Sequence, residues 1–564
     1  MLLLAFILMG SVNTTHAQGG DQDPPKNWFH LDQSNDGFRG ISSMRLYEEF
    51  LKAKKSQPVI VAVIDSGVDW EHEDLDDVMW VNEDEIPNNG KDDDGNGYVD
   101  DVHGWNFIGG PNGNIDADNL EITRLYRKYH AMYGSRTSED GLSGKEKKEY
   151  ARYMDLKEKY EENRENAKSR MDQYMTQKES LMAGLDAVKT ALGKNKASLE
   201  NVQALEPGAN EELAMGQQMV VGAMMQDPDA SLKSIRSNIE EGLSGAINYF
   251  KGQYEHYYNA DFDPRSIVGD DYNNQLQRIY GNNDYEGPDA SHGTHVAGII
   301  AAERNNDIGM DGVADNVRIM TVRAVPDGDE RDKDVANAIR YAVDNGASVI
   351  NMSFGKGFSW NKEIVDDAVK YASKNDVLLV HAAGNDGKSN DNTDNFPNDS
   401  YEKGGLFCSK RSKNWIEVGA LNFAQKEYTA APFSNYGVKE VDVFAPGVKI
   451  YSTIPDNEYA SFQGTSMASP VVAGVAALIR SYYPTLSASQ VKEIIMSTAT
   501  PIKDQVIIPG EKDKKMSFSE LSVSGGTINA YAAMKKASMT KGKNKVKKSK
   551  AYQASMKLSE QEKA

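Results

Sequence analysis

Along the chain, short unbroken runs of apolar and β-branched residues alternate with longer stretches whose apolar positions recur at helical spacing. Pro58-Val59-Ile60-Val61-Ala62-Val63-Ile64 is such a run, and it stops at Asp65. A strand with one wet face would alternate apolar and polar residues, so the unbroken run predicts a parallel strand buried on both faces. Val349-Ile350-Asn351-Met352-Ser353 and Val377-Leu378-Leu379-Val380-His381-Ala382-Ala383 repeat the pattern, with helices predicted over 335–345 and 363–375. Strands alternating with helices in this way give an α/β domain whose parallel sheet is covered on both sides. Sheets of that kind hold ligands beyond the carboxyl ends of their strands, and Asp65, Ser353-Phe354-Gly355 and Gly384-Asn385 all follow such ends.

The pattern changes between Gly110 and Tyr285, where the chain is charged, rich in methionine and poor in strand-like runs. Met171, Tyr174, Leu181, Leu185, Val188 and Leu192 fall at steps of three and four once Lys178 is counted as a polar interruption, which predicts a long helix with an apolar seam. Packing within a helical hairpin is the plain explanation, and a surface for a protein partner or self-contact is the sharper one. The expected organisation is a leader over 1–17, a first segment of the α/β domain over 18–110, a helical insertion over 111–284, the rest of the α/β domain over 285–538, and a solvated Lys-rich tail over 539–564.

Charge and composition narrow the function classes. A formal net charge of -21 excludes a general nucleic-acid binder, which needs a basic footprint. Leu2 to Gly10 is apolar, and Ala17 stands where a signal peptidase could cut, so export to the exterior, the periplasm or the cell envelope is expected. No later stretch is apolar enough to span a membrane. The lone cysteine, Cys408, can form no internal disulfide, so stability must come from elsewhere.

Three islands carry reactive groups in the order Asp, His, Ser: Asp65-Ser66-Gly67, Ser291-His292-Gly293-Thr294-His295, and Gly464-Thr465-Ser466-Met467-Ala468-Ser469-Pro470. A serine hydroxyl attacks well only when an imidazole takes its proton, and the imidazole needs a carboxylate to fix its tautomer. His292 and Ser466 are both placed at predicted helix starts, and Pro470 is expected in the first turn.

On these residues and their order the chain resembles the subtilisin-like serine proteases, the subtilase family. The resemblance implies a three-layer α/β/α domain with a mostly parallel sheet, to which this chain adds an inserted α-helical domain. It also implies a secreted serine endopeptidase acting on polypeptides through an acyl-enzyme, without a catalytic cofactor. Ser466 would be the nucleophile, His292 the base, Asp65 its orienting carboxylate, and Asn385 an oxyanion donor beside the Ser466 N–H. Ser353, Phe354 and Gly355 would wall one side of the pocket for the residue before the cut, and Ala382, Ala383 and Gly384 the other. Pro326 to Arg331 would approach substrate residues further upstream. Activity should rise as His292 loses its proton near pH 6.5. Little chain lies between Ala17 and the first strand, so no long inhibitory prodomain is expected.

Two calcium sites are expected. Asp92, Asp94 and Asn96 offer oxygens at alternating positions before the turn-forming Gly97; His103 stands where an EF-hand has its bidentate glutamate, so Asp100 or Asp101 would replace it, the alternative being a plain acidic turn. By the resemblance, Asp74 and Asn306, the latter within the loop 304–310, would hold a second ion. A zinc hydrolase is the rival enzyme class, but His292 and His295 are three apart without the Glu of His-Glu-x-x-His. A catalytically silent polypeptide-binding scaffold is the rival outside enzymology.

Overall fold

The computed structural model describes residues 23–403 and 410–544, so the leader, Cys408 and the Lys-rich tail from 545 onward lie outside the described residues. The chain forms two compact units. One is Ile122–Phe262, and the other is built from the flanking segments, up to Glu121 and from Asp263 onward, so 111–121 and 263–284 group with the larger unit.

The larger unit holds a nine-stranded sheet. In chain order its strands are β1 (Val59–Asp65), β2 (Gly104–Asn106), β3 (Val317–Arg323), β4 (Val349–Met352), β5 (Leu378–Ala382), β6 (Trp415–Leu421), β7 (Val443–Pro446), β8 (Thr500–Pro501) and β9 (Gly526–Thr527). Across the sheet they run β8-β9-β7-β6-β5-β4-β1-β3-β2, all pairs parallel except β8 with β9. Every residue of β1 is buried, and the strand splits its side chains between two cores. Val59, Val61 and Val63 face one core with the helices Ser291–Ala301 and Thr465–Tyr482, while Ile60, Ala62 and Ile64 face the other with Asp332–Asp344 and Lys362–Lys374. Both faces being dry explains the unbroken apolar run, and it makes the unit a three-layer α/β/α sandwich.

The smaller unit is helical. Its main helix, Gly144–Leu192, has 49 residues, about 70 Å at 1.5 Å per residue. It starts at a capping box, in which the Ser143 hydroxyl accepts from the Glu146 N–H and the Glu146 carboxylate accepts from the Ser143 N–H. Gly193, with φ of 56°, ends it. Leu181, Leu185, Val188 and Leu192 are buried against the helices Glu211–Gln226 and Leu232–Gly252. Tyr174 is half-buried and stacks on Phe250 at 5.7 Å, so the seam continues toward the N-terminus as a thinner contact.

Candidate active site

Asp65 ends β1, paired in register with Arg323 at the end of β3, and is buried. Its Oδ1 accepts from the Ser66 N–H at 2.8 Å and from His292 Nδ1 at 2.7 Å. A proton on Nδ1 leaves Nε2 as the acceptor, the tautomer a base requires. Gly293 makes the approach possible: a Cβ there would lie 2.0 Å from the Gly67 carbonyl, so only glycine lets the helix Ser291–Ala301 sit on the Asp65-Ser66-Gly67 turn. Arg323 holds the turn from below, its Nε–H donating to the Ser66 carbonyl at 2.8 Å. The sequence hid this role, since a lone Arg closing an apolar strand reads as a strand end. Burial alone would lower the pKa of His292, but the Asp65 charge and hydrogen bond outweigh it, with a smaller push from Asp289, and hold the imidazolium above its usual range.

Ser466 is the second residue of the helix Thr465–Tyr482. Pro470 is the sixth, so it lies in the second turn rather than the expected first. A proline has no N–H to donate to the carbonyl four residues back, which is that of Ser466. That carbonyl accepts instead from the Ser353 hydroxyl at 2.8 Å, while the Ser466 hydroxyl donates to the Ser353 carbonyl at 3.0 Å. Asn351 at β4 extends the clamp, donating to Ser353 Oγ at 2.9 Å and accepting from Ser469 Oγ at 2.8 Å. The Ser466 hydroxyl is therefore bonded to Ser353, and among the described residues no hydrogen bond joins it to His292.

A cavity of about 280 Å³ brings Ser466 and Asn385 together with Ser353, Phe354, Gly355, Ala382 and Gly384. Ala383, the remaining wall residue of the sequence reading, packs into a hydrophobic cluster instead. Thr465, which the sequence reading did not single out, orients Asn385: its N–H and hydroxyl donate to Asn385 Oδ1 at 2.8 and 3.0 Å, and its oxygen accepts from the Gly384 N–H at 3.1 Å. The carboxamide thus keeps its NH2 for another acceptor. A Cβ added at Gly464 would lie 3.5 Å from the Ser466 nitrogen and 3.6 Å from Asn385 Nδ2, so the two N–H donors flank one spot. Gly384 has φ of 102°, and a Cβ there would meet Asn435 Nδ2 at 2.5 Å, so neither the backbone nor the space admits another residue.

The Subtilase family model matches residues 56–530. The chain belongs to the subtilase family. A thermophilic serine proteinase of Bacillus sp. (strain AK1) is 44% identical over 40% of this chain and 49% of its own length. Subtilisin DY of Bacillus licheniformis is 44% identical over 38% of this chain and 72% of its own, and subtilisin of Bacillus pumilus is 41% identical over 37% and 70%. The chain therefore spans about half the length of the first of these relatives.

Within this subtilase the expected metal ligands are rearranged. Carboxylate oxygens of Glu85, Asp92 and Asp94 lie within 4.8 Å of one another, and Glu85 is the member the sequence reading missed. Asp100 is not among them: its two oxygens accept from the N–H groups of Asn89 and Gly90 at 3.0 and 2.9 Å. Asn96 donates its side-chain NH2 to Asp94 and to the buried Asp101, whose pKa burial pushes up to about 7. A donor set of three clustered carboxylates suits calcium. At the second position Asn306 turns its amide nitrogen to Asp74 Oδ1 at 2.8 Å, and Met310 N–H reaches Oδ2 at 3.2 Å. Asp74 is thus satisfied by hydrogen bonds, and a cation there would require the Asn306 amide to rotate.

His295 is buried, with Nε2 between the Ile450 and Ala460 carbonyls and its ring stacked on Phe462 at 4.3 Å. Burial lowers its pKa to about 3, which suits a neutral structural ring. In the segment expected near upstream substrate residues, Glu330 and Arg331 are buried, and Arg331 binds Asp118 through two hydrogen bonds of 2.7 and 2.9 Å.

Proposed function

We propose that this subtilase is an exported serine endopeptidase that cleaves polypeptides through Ser466, His292 and Asp65, with Asn385 and the Ser466 N–H as oxyanion donors. The observation that carries the reading is the pair of N–H donors flanking one spot beside the Ser466 hydroxyl, in a cavity walled by Ser353 to Gly355. Ser466 Oγ attacks the carbonyl carbon and passes its proton to His292 Nε2. The carbonyl oxygen takes the negative charge between Asn385 Nδ2 and the Ser466 nitrogen, and His292 then protonates the leaving amine. Water repeats the cycle on the acyl-enzyme. Among the described residues no helix is long and apolar enough to cross a membrane. The test is hydrolysis of an unfolded protein substrate, stopped by a serine-directed reagent and indifferent to a zinc chelator. Binding of that substrate without cleavage would support the silent scaffold instead.

Two kinetic outcomes are expected. Asn385→Ala removes one of two oxyanion donors and lowers kcat by about a hundred- to a thousandfold with little change in KM; near-normal kcat excludes Asn385 from the chemistry. Because Asp65 raises the pKa of His292, the base must be deprotonated at a higher pH than a free histidine. The acidic limb of the kcat/KM profile should lie above pH 6.5, and a limb below pH 6 contradicts the assignment.

Calcium, held by Glu85, Asp92 and Asp94, would tie the loop 85–97 together and take no part in catalysis. An ion in hundredfold excess over its Kd stabilises the native state by about 2.7 kcal/mol. Adding a calcium chelator should therefore lower Tm by roughly 5 °C, and Asp92→Asn should abolish the difference. An unchanged wild-type Tm removes this site.

A further inference from the structure

The cavity beside Ser466 has a floor that no sequence motif marks. Asn395 lies between the two walls that the catalytic reading assigns to the pocket. Its NH2 donates to the Ala382 and Ala383 carbonyls at 3.2 and 3.1 Å, with Glu417 Oε1 at 3.4 Å, so its nitrogen belongs to one wall. Its Oδ1 belongs to the other: a Cβ on Gly355 would meet that oxygen at 2.6 Å. Three acceptors around the nitrogen fix which end is oxygen. No hydrogen bond to Oδ1 forms among the described residues, and Asn395 lines the cavity that holds the nucleophile.

The floor is rigid. The next residue, Phe396, exchanges two backbone hydrogen bonds with Lys356, at 3.0 and 2.9 Å, so the loop carrying Asn395 is pinned beside the Ser353 to Gly355 wall. The charges around the cavity lean negative. Asp386 and Asp394 contribute carboxylates and Lys388 an ammonium. Lys356 also lines it, but its Nζ is held by Glu121 at 2.7 Å, Asp332 at 2.8 Å and the Glu330 carbonyl at 2.6 Å. Its charge is neutralised at that network.

A fixed acceptor at the base of a slot discriminates by what it is given. An apolar side chain strips water from Oδ1 and returns no donor, whereas an ammonium or guanidinium satisfies it with a charge-assisted hydrogen bond. An acidic side chain meets Asp386 and Asp394 as well as an acceptor. We propose that Asn395 determines the cleavage specificity, accepting a hydrogen bond from a lysine or arginine side chain on the residue before the scissile bond. The proposal rests on the endopeptidase reading above and names the substrate class for the same site.

The test uses the full chain and internally quenched peptides that differ only in the residue before the cut: Lys, Arg, Phe, Leu or Glu. Lys and Arg peptides should exceed Phe and Leu peptides in kcat/KM by about ten- to a hundredfold, with Glu slowest. Asn395→Leu keeps the volume and removes the acceptor, so it should erase that preference, and Asn395→Asp should widen it. If Asn395→Leu does not fold, the wild-type series and Asn395→Asp still decide. Ser466-dependent cleavage that favours Phe or Leu overturns this proposal alone, as does an unaltered preference in either variant. Absence of cleavage of every peptide removes the endopeptidase reading and this proposal with it.

Discussion

Replacing Ser466 by alanine is expected to lower kcat on any peptide substrate about a millionfold, the scale of loss found for the nucleophile of subtilisin. The reason is chemical: without the hydroxyl there is no acyl-enzyme, and attack falls to water that nothing positions. The variant should nevertheless fold, because the lost hydroxyl makes one hydrogen bond, to the Ser353 carbonyl, and Ser466 is only half-buried. A stability change within about 1.5 kcal/mol is the corresponding expectation. Some catalysis over water should survive, since both oxyanion donors are backbone or Asn385 groups that the substitution leaves alone. Retention of more than a hundredth of wild-type kcat in a purified, folded variant would exclude Ser466 as the nucleophile.

Asp65→Asn is expected to cost about ten-thousandfold in kcat at neutral pH. Asp65 Oδ1 already accepts from two donors, the Ser66 N–H and His292 Nδ1, and Oδ2 is buried with no hydrogen-bond partner among the described residues. An asparagine has two poor choices there. With its NH2 toward His292 it faces the Ser66 N–H and forces the proton onto Nε2, so the imidazole can no longer accept from serine. With its oxygen toward His292 the NH2 is buried without an acceptor, costing about 1–3 kcal/mol. Either way the imidazolium loses its counter-charge, so the acidic limb should move to lower pH than in the wild type. Equal limbs in the two proteins would show that Asp65 does not set the pKa of His292.

The parts of this design that were legible in the sequence are those written in short contiguous runs. β1 could be read because burial on both faces removes every polar residue from Val59 to Ile64, and the three islands because each compresses a functional group and its glycines into a few positions. What escaped was assembled across the chain. Glu85 lies seven residues before Asp92, outside any calcium-loop spacing, and joins it only because the loop folds back. Thr465 was in plain view within the serine island, yet its hydrogen bonds to Asn385 depend on helix and strand ends that are 80 residues apart. Asn395 sits in a run of Asn and Asp residues that composition assigns to turns. Asp100 matched the alternating pattern but lies outside the cluster of Glu85, Asp92 and Asp94, its oxygens facing the Asn89 and Gly90 N–H groups, because pattern fixes sequence position and not the direction of a side chain. The leader and the Lys-rich tail from 545 onward, both expected from composition, fall outside the described residues.

Pro470 makes the helix that carries Ser466 depend on its neighbour. A helix that closes all its own hydrogen bonds can be displaced as a separate rod, leaving the adjoining strand where it was. Here the first turn is left open at the Ser466 carbonyl, and Ser353 closes it from the next element while lending its own carbonyl in return. The Ser353 segment and the start of the Ser466 helix are therefore one mechanical part: whatever presses on Ser353 also moves Ser466. In the proposed mechanism the hydroxyl bond must break while the bond from Ser353 to the Ser466 carbonyl can persist, so the fit of a substrate and the placement of Ser466 share that one bond.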